Sequence, residues 1–132
     1  DTIIIDFKCD DNILIKADRE QISRVFINLI KNSIESLNEK YQKNNEFDKK
    51  INIEIYQIND YIEILIIDNG TGFNTTNLSE ISKPYFTTKK NGSGLGLSIV
   101  VKIINDHNGT IEFLDYKKGA KIKITFPKIN VS

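Results

Sequence analysis

The clearest candidate for a ligand-binding segment is a glycine-rich stretch, Gly92-Ser93-Gly94-Leu95-Gly96-Leu97-Ser98. It is followed directly by an apolar pattern of helical spacing. Glycine permits close approach of a ligand to the backbone, and a helix N-terminus presents free N–H groups at the positive end of the helix dipole. Together these features favour an anion site, most often for a phosphate. The spacing is G-x-G-x-G, so the P-loop pattern and the dinucleotide fingerprint do not apply, and the H-R-D and D-F-G signatures are missing.

Two asparagines, Asn28 and Asn32, are four residues apart in a segment of helical periodicity, so they share one helix face. Asparagine is a poor helix former, and the pair therefore needs a reason. One reason is that their amide oxygens hold Mg²⁺, a hard cation that takes oxygen ligands along with waters and substrate phosphates. The alternative is two amides at the edge of the polar face.

A carboxylate and a basic loop add to these candidates. Asp68 ends an apolar run and is followed by Gly70 and Gly72. The carboxylate could accept hydrogen bonds from an exocyclic amine while the glycines let a flat ring approach the backbone; the alternative is a plain turn. The segment 83–90 combines aromatics, hydroxyls and lysines, and a lysine can act as a point charge on a terminal phosphate. Its alternative is a solvated basic loop.

The elements that must position these residues predict an α+β domain. We expect Asp18 to cap the first helix, with Gln21 reaching back in a capping-box variant, and Asn108-Gly109 to end the second helix. In the first half of the chain, the predicted elements are strands at 2–8 and 12–16, a helix from 19 to about 39, and a hairpin of strands 51–58 and 61–67. A functional loop is predicted to follow up to residue 91, with a helical turn near 78–82. The remaining predicted elements are a helix at 94–107 and a hairpin of strands 110–116 and 120–126. This order predicts a two-layer sandwich with the helices on one face of a mixed or antiparallel sheet.

Composition sets the remaining bounds. The 132 residues suffice for a single domain, 1–132, and 18 basic residues balance 18 acidic ones, which argues against a nucleic-acid partner or an anionic membrane surface. No apolar run reaches the ~20 residues that span a bilayer. The single Cys9 excludes an internal disulfide and is expected to be a small buried hydrophobe. The lack of methionine and the start at Asp1 predict a piece excised from a longer protein.

Four segments taken in order resemble one family: 28–33 (NLIKNS), 68–73 (DNGTGF), 84–89 (PYFTTK) and 92–97 (GSGLGL). They resemble the catalytic ATP-binding domain of bacterial sensor histidine kinases, which shares a superfamily with gyrase, Hsp90 and MutL. The segment 84–89 and the short lid are most similar to the nitrogen-regulation type of sensor kinase. The resemblance covers nearly the whole chain and implies the Bergerat-type ATP-binding fold.

The resemblance also implies ATP and Mg²⁺ as cofactors and assigns roles to residues. Asn32 is expected to bind Mg²⁺, Asn28 to act beside it at the phosphates, and Lys89 to act at the terminal phosphate. Asp68 is expected to accept from the adenine amino group, and Gly119 to be the last glycine box. The resemblance implies that residues 73–92 form a mobile lid anchored by Phe86 and that Thr125 lies on the strand beneath the adenine. The other nucleotide-binding residues so implied are Lys31, Gly70, Gly72, Phe73, Phe86, Thr87, Thr88, Gly92, Ser93, Gly94, Leu95, Gly96, Leu97 and Thr125.

The implied function is transfer of the γ-phosphoryl group to a histidine on a separate dimerisation domain of the same parent, with a response regulator downstream. In hydrolysing members a glutamate stands where this chain has Asn28, whose amide cannot take a proton, so hydrolysis is disfavoured. The only histidine, His107, is followed by Asn108 rather than an acidic residue. We therefore expect His107 to be structural, contacting the carbonyls of the last helical turn.

The fragment is then expected to be inactive alone, monomeric when isolated, and a cytoplasmic domain of an inner-membrane sensor kinase. Two alternatives stay open from the residues. One is a serine kinase of the anti-sigma type in the same superfamily, and the other is a nucleotide-binding scaffold domain without turnover.

Overall fold

The computed structural model describes residues 2–72, 96–116 and 119–129. Within these ranges the elements are β1 (Ile3–Cys9), α1 (Arg19–Lys43), β2 (Lys49–Ile58), β3 (Tyr61–Asp68), α2 (Gly96–Asp106), β4 (Thr110–Tyr116) and β5 (Gly119–Pro127). They form the predicted sandwich, in which both helices pack on one face of a mixed sheet.

The strand order in the sheet is β1-β2-β3-β5-β4, so β3 is central. β1 runs parallel to β2, while β2, β3, β5 and β4 pair antiparallel in that order. The parallel pair requires a crossover, and α1 provides it. Asn59 adopts a positive φ in the two-residue turn between β2 and β3, which confirms the predicted hairpin.

Alternation along the strands decides which face carries the core. In β3 the residues Ile62, Ile64, Ile66 and Asp68 are buried, and each faces a buried partner across the β3–β5 register. Leu29 and Leu37 of α1 and residues 100, 103 and 104 of α2 complete the same cluster. Because strand side chains alternate, the odd-numbered residues of β3 and β5 lie on the opposite, helix-free face.

α1 begins and ends with ordinary capping chemistry. The Asp18 carboxylate accepts from the Gln21 backbone N–H at 3.1 Å, which confirms the predicted N-cap. The backbone N–H of Asp18 donates to Nε2 of His107 at 3.0 Å, so the Gln21 side chain does not supply that half of a capping box. The helix continues to Lys43, one turn beyond the predicted end, where the Asn44 N–H bonds the Lys40 carbonyl at 2.9 Å.

Two sequence expectations are wrong near β1. Residues 12–16 form no strand, because after Asn12 turns the chain with φ 59° the segment leaves the sheet and Ile13 and Ile15 pack against the core. Cys9 is exposed rather than buried, because β1 is an edge strand that the helices do not fully cover.

The second helix ends as predicted. Asn108 adopts the αL conformation with φ 59°, its N–H bonds the Asn105 carbonyl at 3.1 Å, and the N–H of Gly109 bonds the Ile104 carbonyl at 2.9 Å, which is the Schellman form of helix termination. Its predicted start at Gly94, the helical turn at 78–82 and the hairpin loop at 117–118 lie outside the described residues. No helix in the described ranges is both long enough and apolar enough to cross a membrane.

Candidate functional site

A row of polar side chains along α1 organises the candidate site. Asn28, Asn32, Ser36 and Lys40 follow at intervals of four residues, which places them on one ridge of the helix. We call this set the polar row. The Asn28 side chain of α1 lies beside the first residue of α2, because its Oδ1 is 3.8 Å from the position that a Cβ on Gly96 would take. The row therefore begins beside the end of the glycine-rich stretch.

The other end of the polar row holds the turn that follows β3. The Ser36 Oγ accepts from the backbone N–H of Thr71 at 2.9 Å and lies 3.0 Å from the Thr71 hydroxyl. Lys40 Nζ donates to the backbone carbonyl of Asn69 at 2.8 Å. One helix thus connects the asparagine pair to the turn that carries Asp68.

Asp68 is a buried carboxylate with an exposed fraction of only 4%. Burial raises its pKa above the ordinary value of 3.8, against the lowering effect of hydrogen bonds from the Gly70 N–H, the Ser33 hydroxyl and the Ala120 N–H and of the charge on Lys40. The Gly70 N–H donates to Oδ1 at 2.9 Å. A carboxylate offers about four acceptor positions, so these three hydrogen bonds leave Asp68 able to accept from a ligand amine as well.

Asn69 fixes the turn from its outer side. Its Oδ1 accepts from the Lys50 N–H at 2.9 Å, and its Nδ2 donates to the Asp48 carbonyl at 2.8 Å. These bonds tie the end of β3 to the start of β2. The turn that carries Asp68 is therefore held by both α1 and β2.

Three glycines beside Asp68, namely Gly70, Gly72 and Gly119, leave no room for side chains. A Cβ on Gly70 would meet Ser36 Oγ at 2.4 Å and the Ser36 carbonyl carbon at 2.8 Å, so the turn lies directly against α1. Gly72 has φ +78°, and its Cβ would meet the Gly119 carbonyl oxygen at 3.0 Å. Gly119 has φ +153°, and its Cβ would meet the Asp68 carbonyl oxygen at 2.0 Å. Gly70, Gly72 and Gly119 thus pack around Asp68, and their role at the adenine stays a prediction.

Not every predicted site residue comes to this place. Thr125 pairs with Glu63 of β3, and its hydroxyl hydrogen-bonds the Thr110 hydroxyl on the helix-free face. It lies five positions along β5 from Ala120, the partner of Asp68, and on the opposite face. The expectation that Thr125 lies beneath the base does not fit this register. Leu97 packs partly buried against the core, and Lys31 is exposed on α1.

Several predicted residues lie outside the described part of the chain: Phe73, Phe86, Thr87, Thr88, Lys89, Gly92, Ser93, Gly94 and Leu95. Sequence reasoning missed Ser33, Ser36 and Lys40, which contact Asp68 or its turn. A signal was present for two of them, because Ser36 and Lys40 continue the four-residue spacing of Asn28 and Asn32. Serine is, like asparagine, a mediocre helix former that suggests a local partner.

His107 occupies a structural position. Its Nδ1 lies 2.7 Å from the Ile103 carbonyl, and its Nε2 accepts from the Asp18 N–H at 3.0 Å. Both ring nitrogens are therefore engaged within the fold, between the end of α2 and the start of α1. This agrees with the expected contact to the last-turn carbonyls.

Comparison with known proteins identifies the family. Residues 17–130 match the family described as histidine kinase-, DNA gyrase B-, and HSP90-like ATPase, and the chain belongs to this family. It is 36% identical over 119 residues to sporulation kinase A of Bacillus subtilis (strain 168), covering 89% of this chain and 18% of that protein. It is 33% identical over 124 residues to a putative sensor histidine kinase NtrY-like of Rickettsia typhi, covering 91% of this chain and 20% of the relative. The chain thus spans about a fifth of these relatives' length.

Solved structures give the same class. The catalytic domain of histidine kinase ThkA superposes with a TM-score of 0.79 at 32% identity, covering 96% of this chain and 79% of the other. A second structure is ThkA in complex with the response regulator protein TrrA, with a TM-score of 0.75 at 30% identity, covering 96% of this chain and 34% of that one. The resemblance to sensor histidine kinases drawn from the four motifs is confirmed, and an ATP-binding kinase domain is the class of function it supports.

Proposed function

We propose that this chain binds Mg²⁺-ATP and donates the γ-phosphoryl group to a histidine on a separate dimerisation domain of its parent protein. The observation that carries the proposal is the polar row of α1, which joins the asparagine pair beside α2 to the turn of Asp68. A nucleotide needs both ends, because its base and its phosphates are separate groups with different chemistry.

At the base end, Asp68 is suited to accept a hydrogen bond from the exocyclic amine of adenine. Guanine carries a carbonyl at the corresponding ring position, which would face the carboxylate without a proton between them. An unsatisfied buried acceptor costs about 1–3 kcal/mol, so Asp68 favours adenine. Gly70 and Gly72 carry no side chain that would hinder a flat ring at Asp68, and both pack closely, Gly70 against α1 and Gly72 against Gly119.

At the phosphate end, Asn28 and Asn32 offer amide oxygens on a rigid helix. Within the described ranges, no three His, Cys, Asp or Glu side chains gather as a metal site. An Mg²⁺ ion at Asn32 would take its other ligands from phosphate oxygens and water, which is how this cation is usually bound. When bound, the ion neutralises negative charge on the phosphates. The half-buried Asn32 amide fits such a role because its oxygen is the required donor type.

The chemistry at Asn28 favours transfer over hydrolysis. An amide cannot accept a proton from water, so Asn28 does not serve as a general base. Its contribution is to orient phosphate oxygens through its N–H donors. We assign Lys31, Gly96 and Leu97 to the edges of the phosphate site, and the predicted lid residues 73–92, including Lys89 at the terminal phosphate, to its cover. Gly92, Ser93, Gly94 and Leu95 complete the phosphate-binding stretch.

The acceptor histidine belongs to another domain in this proposal. His107 is engaged through both ring nitrogens, so it is not available for phosphorylation without breaking the contact between α1 and α2. The parent would be an inner-membrane sensor kinase with this domain in the cytoplasm and a response regulator downstream. The isolated chain is proposed to be a monomer.

Calorimetric titration with ATP, with and without Mg²⁺, tests the binding step. Asn32→Ala should abolish the Mg²⁺-dependent part of binding and the phosphotransfer of an intact parent while the far-ultraviolet circular dichroism stays unchanged. Asn105→Ala, at an exposed asparagine of α2, is the control for loss of an amide. Unchanged autophosphorylation in Asn32→Ala would contradict the metal assignment.

The nature of the phosphorylated residue separates the kinase alternatives. Phosphohistidine is labile to acid and phosphoserine is stable, so acid treatment of the labelled parent distinguishes a histidine kinase from a serine kinase of the anti-sigma type. A domain that binds Mg²⁺-ATP but labels no acceptor in its parent would support the scaffold alternative.

A further inference from the structure

The turn after β3 is anchored to α1 by side chains that have no assigned role in the proposed reaction. Ser36 and Lys40 are the second half of the polar row, one and two helical turns beyond Asn32. Ser36 reaches Thr71, and Lys40 reaches the carbonyl of Asn69. These two contacts flank Gly70, whose N–H holds the Asp68 carboxylate at 2.9 Å.

The Ser36 hydroxyl can both accept from and donate to Thr71. Its Oγ accepts from the Thr71 N–H at 2.9 Å and can donate to the Thr71 Oγ1 at 3.0 Å, while the Thr71 hydroxyl lies 3.4 Å from the Gly72 carbonyl as a donor. A serine hydroxyl offers one donor and two acceptor sites, and this arrangement uses both functions. Alanine would be the better helix former at this position, so the serine lowers intrinsic helix propensity. Its contacts to the turn are the compensating gain.

Close packing makes this anchor rigid. The position of a Cβ on Gly70 falls 2.4 Å from Ser36 Oγ and 3.0 Å from the Leu37 backbone nitrogen. The backbone of the turn therefore rests on the backbone of α1, and the Ser36 hydroxyl fixes its lateral position. Since the Gly70 N–H bonds Asp68, Ser36 is connected to the carboxylate through this turn.

The polar row also fixes a distance. Asn28 and Asn32 belong to the phosphate end, and Ser36 and Lys40 hold the base end, all on one rigid helix with a rise of about 1.5 Å per residue. α1 thus sets the separation between its own groups at the base end and at the phosphate end. Rigid elements locate binding groups more accurately than loops do.

We propose that Ser36 is a positioning residue for base recognition, acting through Thr71 and Gly70 on Asp68, and that Lys40 supports it through Asn69. This rests on the proposed function, namely that the chain binds Mg²⁺-ATP with the base at Asp68. Neither side chain needs to touch the nucleotide. Their effect is on which base is accepted, while the binding of phosphates depends on the other half of the row.

The test compares Ser36→Ala with Ser23→Ala in the 132-residue chain. Ser23 is an exposed serine of the same helix, so both variants gain the same intrinsic helix propensity and only one loses the turn contacts. Dissociation constants are measured by calorimetry for Mg²⁺-ATP, Mg²⁺-GTP and Mg²⁺-tripolyphosphate, the last of which carries no base. Thermal melting of each variant establishes that it is folded.

Ser36→Ala should weaken ATP binding about fivefold to tenfold, the size of a lost hydrogen-bonded anchor, and reduce the preference for ATP over GTP by a similar factor. Tripolyphosphate binding should stay within about twofold of wild type, and Ser23→Ala should match wild type throughout. An unchanged ATP-to-GTP preference in Ser36→Ala would overturn the inference. Equal losses for ATP and tripolyphosphate would also overturn it, because they would indicate general damage.

Lys40 provides a second pair of variants should Ser36→Ala fail to fold. Lys40→Met removes the donor to Asn69 and should reduce base preference, whereas Lys40→Arg keeps a cationic donor and should restore most of it. If both variants behave alike, the inference fails. A wild-type chain that binds no Mg²⁺-ATP would overturn the proposed function and this inference together, whereas intact ATP binding with no change in the variants would overturn the inference alone.

Discussion

Replacing Gly119 with alanine should be the most damaging single methyl addition in the described part of the site. The new Cβ would stand 2.0 Å from the Asp68 carbonyl oxygen and 2.8 Å from the Asn69 Cα, and ordinary contact begins at 3.4 Å. β5, which begins at Gly119, and β3, which ends at Asp68, would have to separate by about 1.4 Å at this point. The backbone adds strain, because φ is +153°, a value that residues with a Cβ rarely adopt.

The expected loss follows from these two terms. Overpacking and an unfavourable backbone conformation each cost about 1–3 kcal/mol, so we expect Gly119→Ala to lower the free energy of unfolding by about 3 kcal/mol. For a chain of 132 residues this corresponds to a fall in melting temperature of about 10 °C. The change would be measured by thermal melting and by urea denaturation with an unchanged m-value.

Gly96→Ala is the matched control. Among the described residues, a Cβ at Gly96 would meet Asn28 Oδ1 alone, at the ordinary distance of 3.8 Å, and Gly96 is the first residue of α2. Alanine is favoured over glycine in a helix, so this variant should gain up to about 0.5 kcal/mol. A melting temperature of Gly119→Ala within about 3 °C of wild type, or an equal loss in Gly96→Ala, would refute the steric reasoning.

Two further predictions concern titratable groups. Because burial raises the pKa of Asp68, the folded state binds its proton more tightly than the unfolded chain, and stability falls as pH rises from near 3.8 through the raised pKa. Asp68→Asn should therefore have a melting temperature at or above that of wild type at pH 7, and this difference should disappear at acidic pH. The variant should also bind ATP with less preference over GTP. A melting temperature below that of wild type at pH 7 would contradict the burial argument. His107→Ala removes the bond from the Asp18 N–H and the contact to Ile103, and should cost about 1.5 kcal/mol in urea denaturation, whereas Asn105→Ala, exposed on the same helix, should cost almost nothing. Equal stability of the two alanine variants would show that His107 does not brace the helices.

The elements were readable from the sequence because local chemistry specifies them. Asp18 before an apolar 3.6-residue pattern predicted the start of α1, and Asn59-Asp60 between two alternating runs predicted the β2–β3 hairpin. Asn108-Gly109 predicted the end of α2. In each case the determining hydrogen bonds lie within a few residues of the signal, so no distant contact could override it.

The segment after β1 was predicted to be a strand at residues 12–16, and this prediction is wrong. Ile13, Leu14 and Ile15 have the composition of a strand, yet they leave the sheet. β1 pairs parallel with β2, so the chain must cross over the sheet before β2 begins. This segment is the first part of that crossover, and its Ile13 and Ile15 side chains pack against the core. Composition does not specify whether the strands to be paired are parallel.

Thr125 shows a similar limit at the site. The family resemblance implied a position beneath the base for Thr125, but side chains alternate along β5 and Ile124 and Phe126 point to the core. Thr125 must then lie on the other face. The alternation was visible in the sequence, but which face carries the helices and Asp68 depends on how the whole sheet packs.

The sequence by itself determined the family, most of the elements and the residues of the polar row that resemble known motifs. Spacing of four places Asn28, Asn32, Ser36 and Lys40 on one ridge because the geometry of an α-helix is local. Only the tertiary structure decided what faces that ridge. The contacts of Ser36 with Thr71 and of Lys40 with Asn69 join residues 35 and 29 positions apart in the chain. Such contacts depend on the packing of α1 against the end of β3, and no periodicity within α1 encodes its partner.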